Sequence, residues 1–132
     1  MKTLSPEISP QASKIVKHQG VGRIFYTIGT DPDYQNYHRE DGPAIINDDG
    51  TQEYYRFGQR HRTDGPALIF PNGTEIWIRN NLRFREDGPA VIVPSEYEVW
   101  YYANMKHRVD GPAYINHKTG VQEFWEFGEL VK

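Results

Sequence analysis

The stretch His38-Arg39-Glu40-Asp41-Gly42-Pro43-Ala44 (HREDGPA) comes back three times along the chain. It reads HRTDGPA over residues 61–67, FREDGPA over 84–90 and HRVDGPA over 107–113, each copy starting 23 residues after the last. The chain between the copies repeats too. An apolar pair follows each Ala: Ile45-Ile46, Leu68-Ile69, Val91-Ile92 and Tyr114-Ile115. A turn-forming stretch comes next, then a polar-aromatic run (QEYYRF, EIWIR, EVWYY, QEFWEF), and the unit closes on Gly58, Asn81, Asn104 or Gly128. The last unit carries one extra residue in its first turn.

Two short β-compatible runs separated by turn signals spell a β-hairpin. The closing slot holds only Gly or Asn, the residues that most readily adopt φ > 0, so a tight turn with a left-handed residue is expected there. Proline cannot donate to a strand ladder, so each DGP step should mark a bend or bulge, with the Asp accepting a backbone N–H at the corner. Repeats of this length bury their faces against their neighbours. The expected fold is mainly β: a repeat array of hairpins forming an antiparallel meander of about eight strands, solenoid-like, with a short N-terminal helix. Residues 1–37 would be an N-terminal cap and residues 38–132 four 23-residue hairpin repeats. Ser9 as N-cap with Pro10 at the first helical position places the helix at about residues 10–18. Residues 23–28 (RIFYTI) read as a strand of a degenerate leading unit, and residues 30–37 as a loop.

Composition bounds the function. A chain of 132 residues suits one domain. Its net charge of −3, with acids and bases interspersed, argues against nucleic-acid binding. The absence of cysteine excludes a thiolate metal site, a cysteine nucleophile and a disulfide framework. No run approaches the ~20 apolar residues of a membrane span, and MKTLSPEISPQASK lacks the apolar stretch of a signal peptide. The expectation is a cytoplasmic protein that binds no membrane. Aromatic residues make up 14% of the chain, which favours strands.

The repetition itself speaks against catalysis: an active site needs one special constellation, whereas packing needs the same one in every unit. The serines, Ser5, Ser9, Ser13 and Ser95, sit on no nucleophile elbow. His38, His61 and His107 would lie two strands apart, about 9.5–10 Å, too far to share an ion bound at ~2 Å. Phe84 fills the same slot, so a structural ring is expected there, with no metal and no cofactor. The Arg and Asp of each motif, two residues apart, should pair. The rival reading is a row of guanidinium groups that, with the aromatic rings, sequesters an anionic nucleotide or signalling ligand.

The polar-aromatic run is the candidate binding element. Tyr54, Trp77, Trp100 and Phe124 share one register, and residues two apart share a face. That face also carries Arg56, Arg79 and Tyr102 among its polar neighbours. The seven residues Tyr54, Arg56, Trp77, Arg79, Trp100, Tyr102 and Phe124 form the expected partner-binding surface. The other face (Tyr55 and Phe57, Ile76 and Ile78, Val99 and Tyr101, Trp125 and Phe127) is assigned to the core. An aromatic column of this kind also reads as interior packing, and the residues alone leave both readings open.

Gly58-Gln59-Arg60-His61 and the 23-residue period resemble membrane occupation and recognition nexus (MORN) repeats. The inserted DGPA is similar to MORN-variant repeats, found in bacterial antitoxin-like proteins and in proteins of phages and large DNA viruses. The chain departs from the simple pattern where Arg follows His and where Phe84 replaces His. The resemblance covers residues 38–132 and implies an interaction scaffold: a non-enzymatic module that binds, and in antitoxin-like or phage counter-defence settings inhibits, a protein partner. It implies no catalytic residue. An exposed edge strand leaves a homodimer open as well.

Overall fold

A computed structural model of the chain describes residues 13–18, 21–27 and 37–132. Every regular element in them is a strand. The chain opens with β1 (Ser13–His18) and β2 (Val21–Thr27). The first unit contributes β3 (Ile45–Asn47), β4 (Gln52–Glu53), β5 (Tyr55–Arg56) and β6 (Gln59–Arg60). The second contributes β7 (Leu68–Ile69), β8 (Glu75–Ile76), β9 (Ile78–Arg79) and β10 (Leu82–Arg83). The third adds β11 (Val91–Val93), β12 (Tyr97–Val99), β13 (Tyr101–Tyr102) and β14 (Met105–Lys106), and the last β15 (Tyr114–Asn116), β16 (Gln122–Glu123), β17 (Trp125–Glu126) and β18 (Glu129–Leu130).

Ten of these strands form one antiparallel sheet in the order β1-β2-β3-β4-β7-β8-β11-β12-β15-β16. The other eight pair off as four two-stranded hairpins beside it. Each unit thus lays a hairpin into the long sheet, crosses to a small side hairpin, and returns through the DGP corner to the next unit. The register repeats with the sequence: Gln52 faces Ile46 on one side and Ile69 on the other, and Glu75 faces Ile69 and Ile92.

Three expectations are corrected. The helix at about residues 10–18 is not seen. Ser13–His18 is a strand whose backbone pairs Ser13 with Thr27 and Ile15 with Phe25, and residues 10–12 lie outside the described residues. The local Ser-Pro signal is overridden by a β-branched Ile-Val pair and a ready partner strand. The loop expected over residues 30–37 also lies outside them, save Tyr37.

The second correction concerns the polar-aromatic run, which is not one strand. It breaks at its central aromatic, so that β4 and β5, or β8 and β9, belong to different sheets. The break is held by two backbone bonds. Tyr54, Trp77 and Trp100 donate their N–H groups to Ala67, Ala90 and Ala113 of the following unit, each at 2.7 Å. Their carbonyls accept from His61, Phe84 and His107 at 3.1 Å. At the last unit Phe124 donates to Lys132 and accepts from Val131, which take the His-Arg places of a next motif.

The third correction is to the core. Ile78 and Val99 are buried as expected, but Phe57 and Phe127 are 48% and 58% exposed. They sit at the tips of the side hairpins at φ of 48° and 45°. Each tip has two successive left-handed residues: Phe57-Gly58, Asn80-Asn81, Ala103-Asn104 and Phe127-Gly128. That is the signature of a type I′ turn, whose twist suits a two-residue hairpin. The interior itself is thin. Ala44, Ala67, Ala90 and Ala113, the last residues of the four motifs, are fully buried, and Ile45, Leu68 and Val91 beside them nearly so. Each Ala also donates its N–H across its own unit, Ala67 to Ile76 at 2.8 Å for example. A column with backbone packed this closely leaves room for a methyl group only.

Candidate functional site: a row of clefts beside the DGP corners

The motif arginine organises each corner. Arg39, Arg62, Arg85 and Arg108 donate Nε–H to Asp41, Asp64, Asp87 and Asp110 at 2.9–3.2 Å. Their Nη1 groups donate to the carbonyls of Pro43, Pro66, Pro89 and Pro112 at 3.1–3.2 Å. The side chain folds flat over its own glycine. A Cβ added at Gly65 would lie 2.6 Å from the Arg62 Cζ, and 2.7–2.9 Å separates the equivalents in the other units. The motif glycine is therefore dictated by space, not by a left-handed backbone.

The opposite face of the guanidinium is covered by the preceding unit. Arg62 lies 4.0 Å over the Tyr54 ring, Arg85 3.8 Å over Trp77 and Arg108 4.0 Å over Trp100. At the end of the array Lys132 Nζ lies 4.8 Å over Phe124. Each such contact contributes about 0.5–2 kcal/mol, depending on how well water is excluded. The expected Arg–Asp pairing is thus within the unit, and the ring that clamps it comes from the neighbour. The arginines are 21–24% exposed, their aspartates 84–86%. Bonding to Arg39 holds the Asp41 carboxyl below the usual carboxylate range.

The histidines lock the side hairpins. Nδ1 of His38, His61 and His107 accepts the backbone N–H of Phe57, Asn80 and Phe127 at 3.0–3.1 Å. These are the first left-handed residues of the type I′ turns, and His38 and His107 also stack on Phe57 and Phe127. The bond requires a neutral, accepting Nδ1. Burial pushes His38 and His61 below the ordinary value of 6.5, for His38 against the opposing pull of Glu40. Phe84 supplies the ring in its unit without the acceptor.

Three shallow clefts lie between successive corners and a fourth between the last corner and residues 131–132, with volumes of about 330–460 Å³. Tyr54 and Arg56 line the first, Trp77 and Arg79 the second, Trp100 and Tyr102 the third, and Phe124 with Glu126 the fourth. All seven residues singled out from sequence are therefore brought to one row, although the strand that was to carry them is broken. The walls are the Arg-x-Asp segments, which sequence reasoning had set apart as structural. Glu40 pairs with Arg56 at 3.9 Å and Glu86 with Arg79 at 4.0 Å across them. The aromatic floor is half-buried, so it serves as both packing and surface. The indole N–H groups of Trp77 and Trp100 are buried with no acceptor among the described residues, whereas Trp125 donates to Glu123 at 2.9 Å.

Among the described residues no three acids or histidines gather where they could hold a metal ion. No helix among them is long and apolar enough to cross a membrane. Comparison with family models, curated proteins and solved structures finds no match to this chain.

Proposed function

We propose that the chain is a non-enzymatic protein-interaction module that binds its partner stoichiometrically through the row of clefts. The observation that carries this reading is the repetition of one plan in the four sites. Each cleft has an aromatic floor and an Arg-x-Asp wall, and in the fourth Val131 and Lys132 stand where the others meet a second motif. A row of like, open sites suits a long complementary surface. Its centre is aromatic and its rim charged, the make-up that interface hot spots favour. The inhibitory role, antitoxin-like or phage-type, rests on the resemblance of the HRxDGPA units alone.

The alternative, sequestration of an anionic nucleotide, is less well supported. The guanidinium groups it would use are already hydrogen-bonded to Asp and Pro and stacked between ring and glycine. An anion would have to compete with four highly exposed carboxylates.

The test is a charge swap. R79E and E86K singly invert a wall charge, and R79E/E86K restores the pair in reverse. Affinity capture from the source cells, with melting curves on each variant, should show the partner lost in the swapped protein while its melting temperature stays at the wild-type value. A swapped protein that captures the same partner as well as wild type refutes the reading. Stabilisation of the chain by a nucleotide in a thermal-shift screen would favour the alternative.

A further inference from the structure

We infer that the row of clefts receives a basic, proline-rich segment in the polyproline II conformation, with a lysine or arginine at every third residue. The inference rests on the interaction reading above and names the chemistry of the partner.

The first argument is pitch. Equivalent residues of consecutive units are two strands apart in the long sheet, roughly 9.4–9.8 Å. A ligand that uses the same side chain in every cleft must repeat at that distance on one side. A β-strand does not, because its same-side residues recur at about 6.4–6.8 Å. An α-helix comes round after two turns at roughly 10.8 Å and drifts out of step by about 3 Å or more across four clefts. Polyproline II has three residues per turn at 3.1 Å each, so every third residue falls on one side at about 9.3 Å.

The second argument is charge. The Arg–Asp pairs are neutral by count but not by exposure. The carboxylates of Asp41, Asp64, Asp87 and Asp110 are 84–86% exposed, their guanidinium partners only 21–24%. Each Nε bond engages one carboxylate oxygen, Oδ1. Glu86, 71% exposed, adds to the wall. A partner therefore meets a column of carboxylates at the pitch of the units, between clefts floored by rings. Cations at every third position would meet the column, and the intervening prolines would lie on the rings, the surface on which proline-rich segments dock.

The probe is a labelled (Arg-Pro-Pro)4 peptide, titrated onto the full chain by fluorescence anisotropy at about 0.15 M salt. Its 12 residues span ~37 Å, enough for four clefts. The controls are (Glu-Pro-Pro)4 and a peptide of the same composition with its arginines irregularly spaced. The expected result is saturable binding of (Arg-Pro-Pro)4, about tenfold tighter than the irregular peptide, since matched sites bind as one multivalent unit. The acidic peptide should not bind. D64N/D87N keeps an acceptor for each arginine and should retain the wild-type melting temperature while weakening (Arg-Pro-Pro)4 about tenfold. Absence of saturable binding, equal binding of the irregular peptide, or unchanged affinity in D64N/D87N overturns the inference. If it falls while the charge swap at Arg79 and Glu86 still abolishes partner capture, the interaction reading stands with a different ligand. If both fail, both fall.

Discussion

At the scale of single residues, the motif is a clamp spelled by two neighbours in space. Arg62 needs a bare glycine beneath it and a ring above it, and only the first belongs to its own unit. G65A should destabilise the chain by about 1–3 kcal/mol, because the methyl displaces the guanidinium from Asp64, Pro66 and Tyr54. The cost should largely vanish in an R62A background, and urea unfolding of the double-mutant cycle measures that coupling. The histidines give a pH dependence with a definite sign. The folded pKa of His38 and His61 lies below the ordinary 6.5, so the unfolded chain binds protons first. Their contribution is complete above about pH 6.5 and is lost as pH falls from there toward the depressed folded values. Melting temperatures from pH 8 to 5 should decline in that window, and H61F should flatten the decline while losing about 1 kcal/mol at neutral pH. The tryptophans differ in the same spirit. W77F removes an N–H with no acceptor among the described residues and W125F removes a bonded one, so W125F should cost about 1 kcal/mol more in equilibrium unfolding.

At the scale of elements, the side hairpins turn on two left-handed residues. All four units have Gly or Asn in the second of the two places, but only the second unit also has one in the first, and the third sets Ala103 at φ 47° before Asn104 at 65°. Its sibling in the second unit is Asn80. A103N should therefore raise stability by up to about 1 kcal/mol, read as a higher denaturation midpoint with unchanged slope. These turns were legible in the sequence because the closing slot admits only Gly and Asn. The DGP corners were legible because proline forbids a ladder bond. The break at the central aromatic was not. Residues such as Glu75-Ile76-Trp77-Ile78-Arg79 alternate as a single strand would, and strands of two residues are shorter than any periodicity can register. What divides them is a bond from Trp77 to Ala90 in another unit, which no local window contains. The same limit hid the site. The seven residues of the run do line the clefts, though not as one face of one strand, and the walls that complete the clefts come from the Arg-x-Asp segments of the motifs.

At the scale of the whole molecule, stability is a sum of units and junctions. Removal of residues 61–83 excises one full period and joins Arg60 to Phe84, the slot His61 filled. The shortened chain should still unfold cooperatively, with a denaturant slope reduced in proportion to its length and a lower melting temperature. Removal of half a period should leave no folded protein, because it sets strand against corner. The extra residue of the last unit shows where such length changes are harmless. It lies in the turn after β15, and Gln122 still faces Ile115 as Gln52 faces Ile46. That turn and its three counterparts sit at the ends of the long-sheet hairpins, across the strands from the clefts. A foreign loop, an epitope or a fluorophore-bearing tag spliced into them would ride on the blind side of the scaffold, four evenly spaced attachment points that leave the recognition surface untouched.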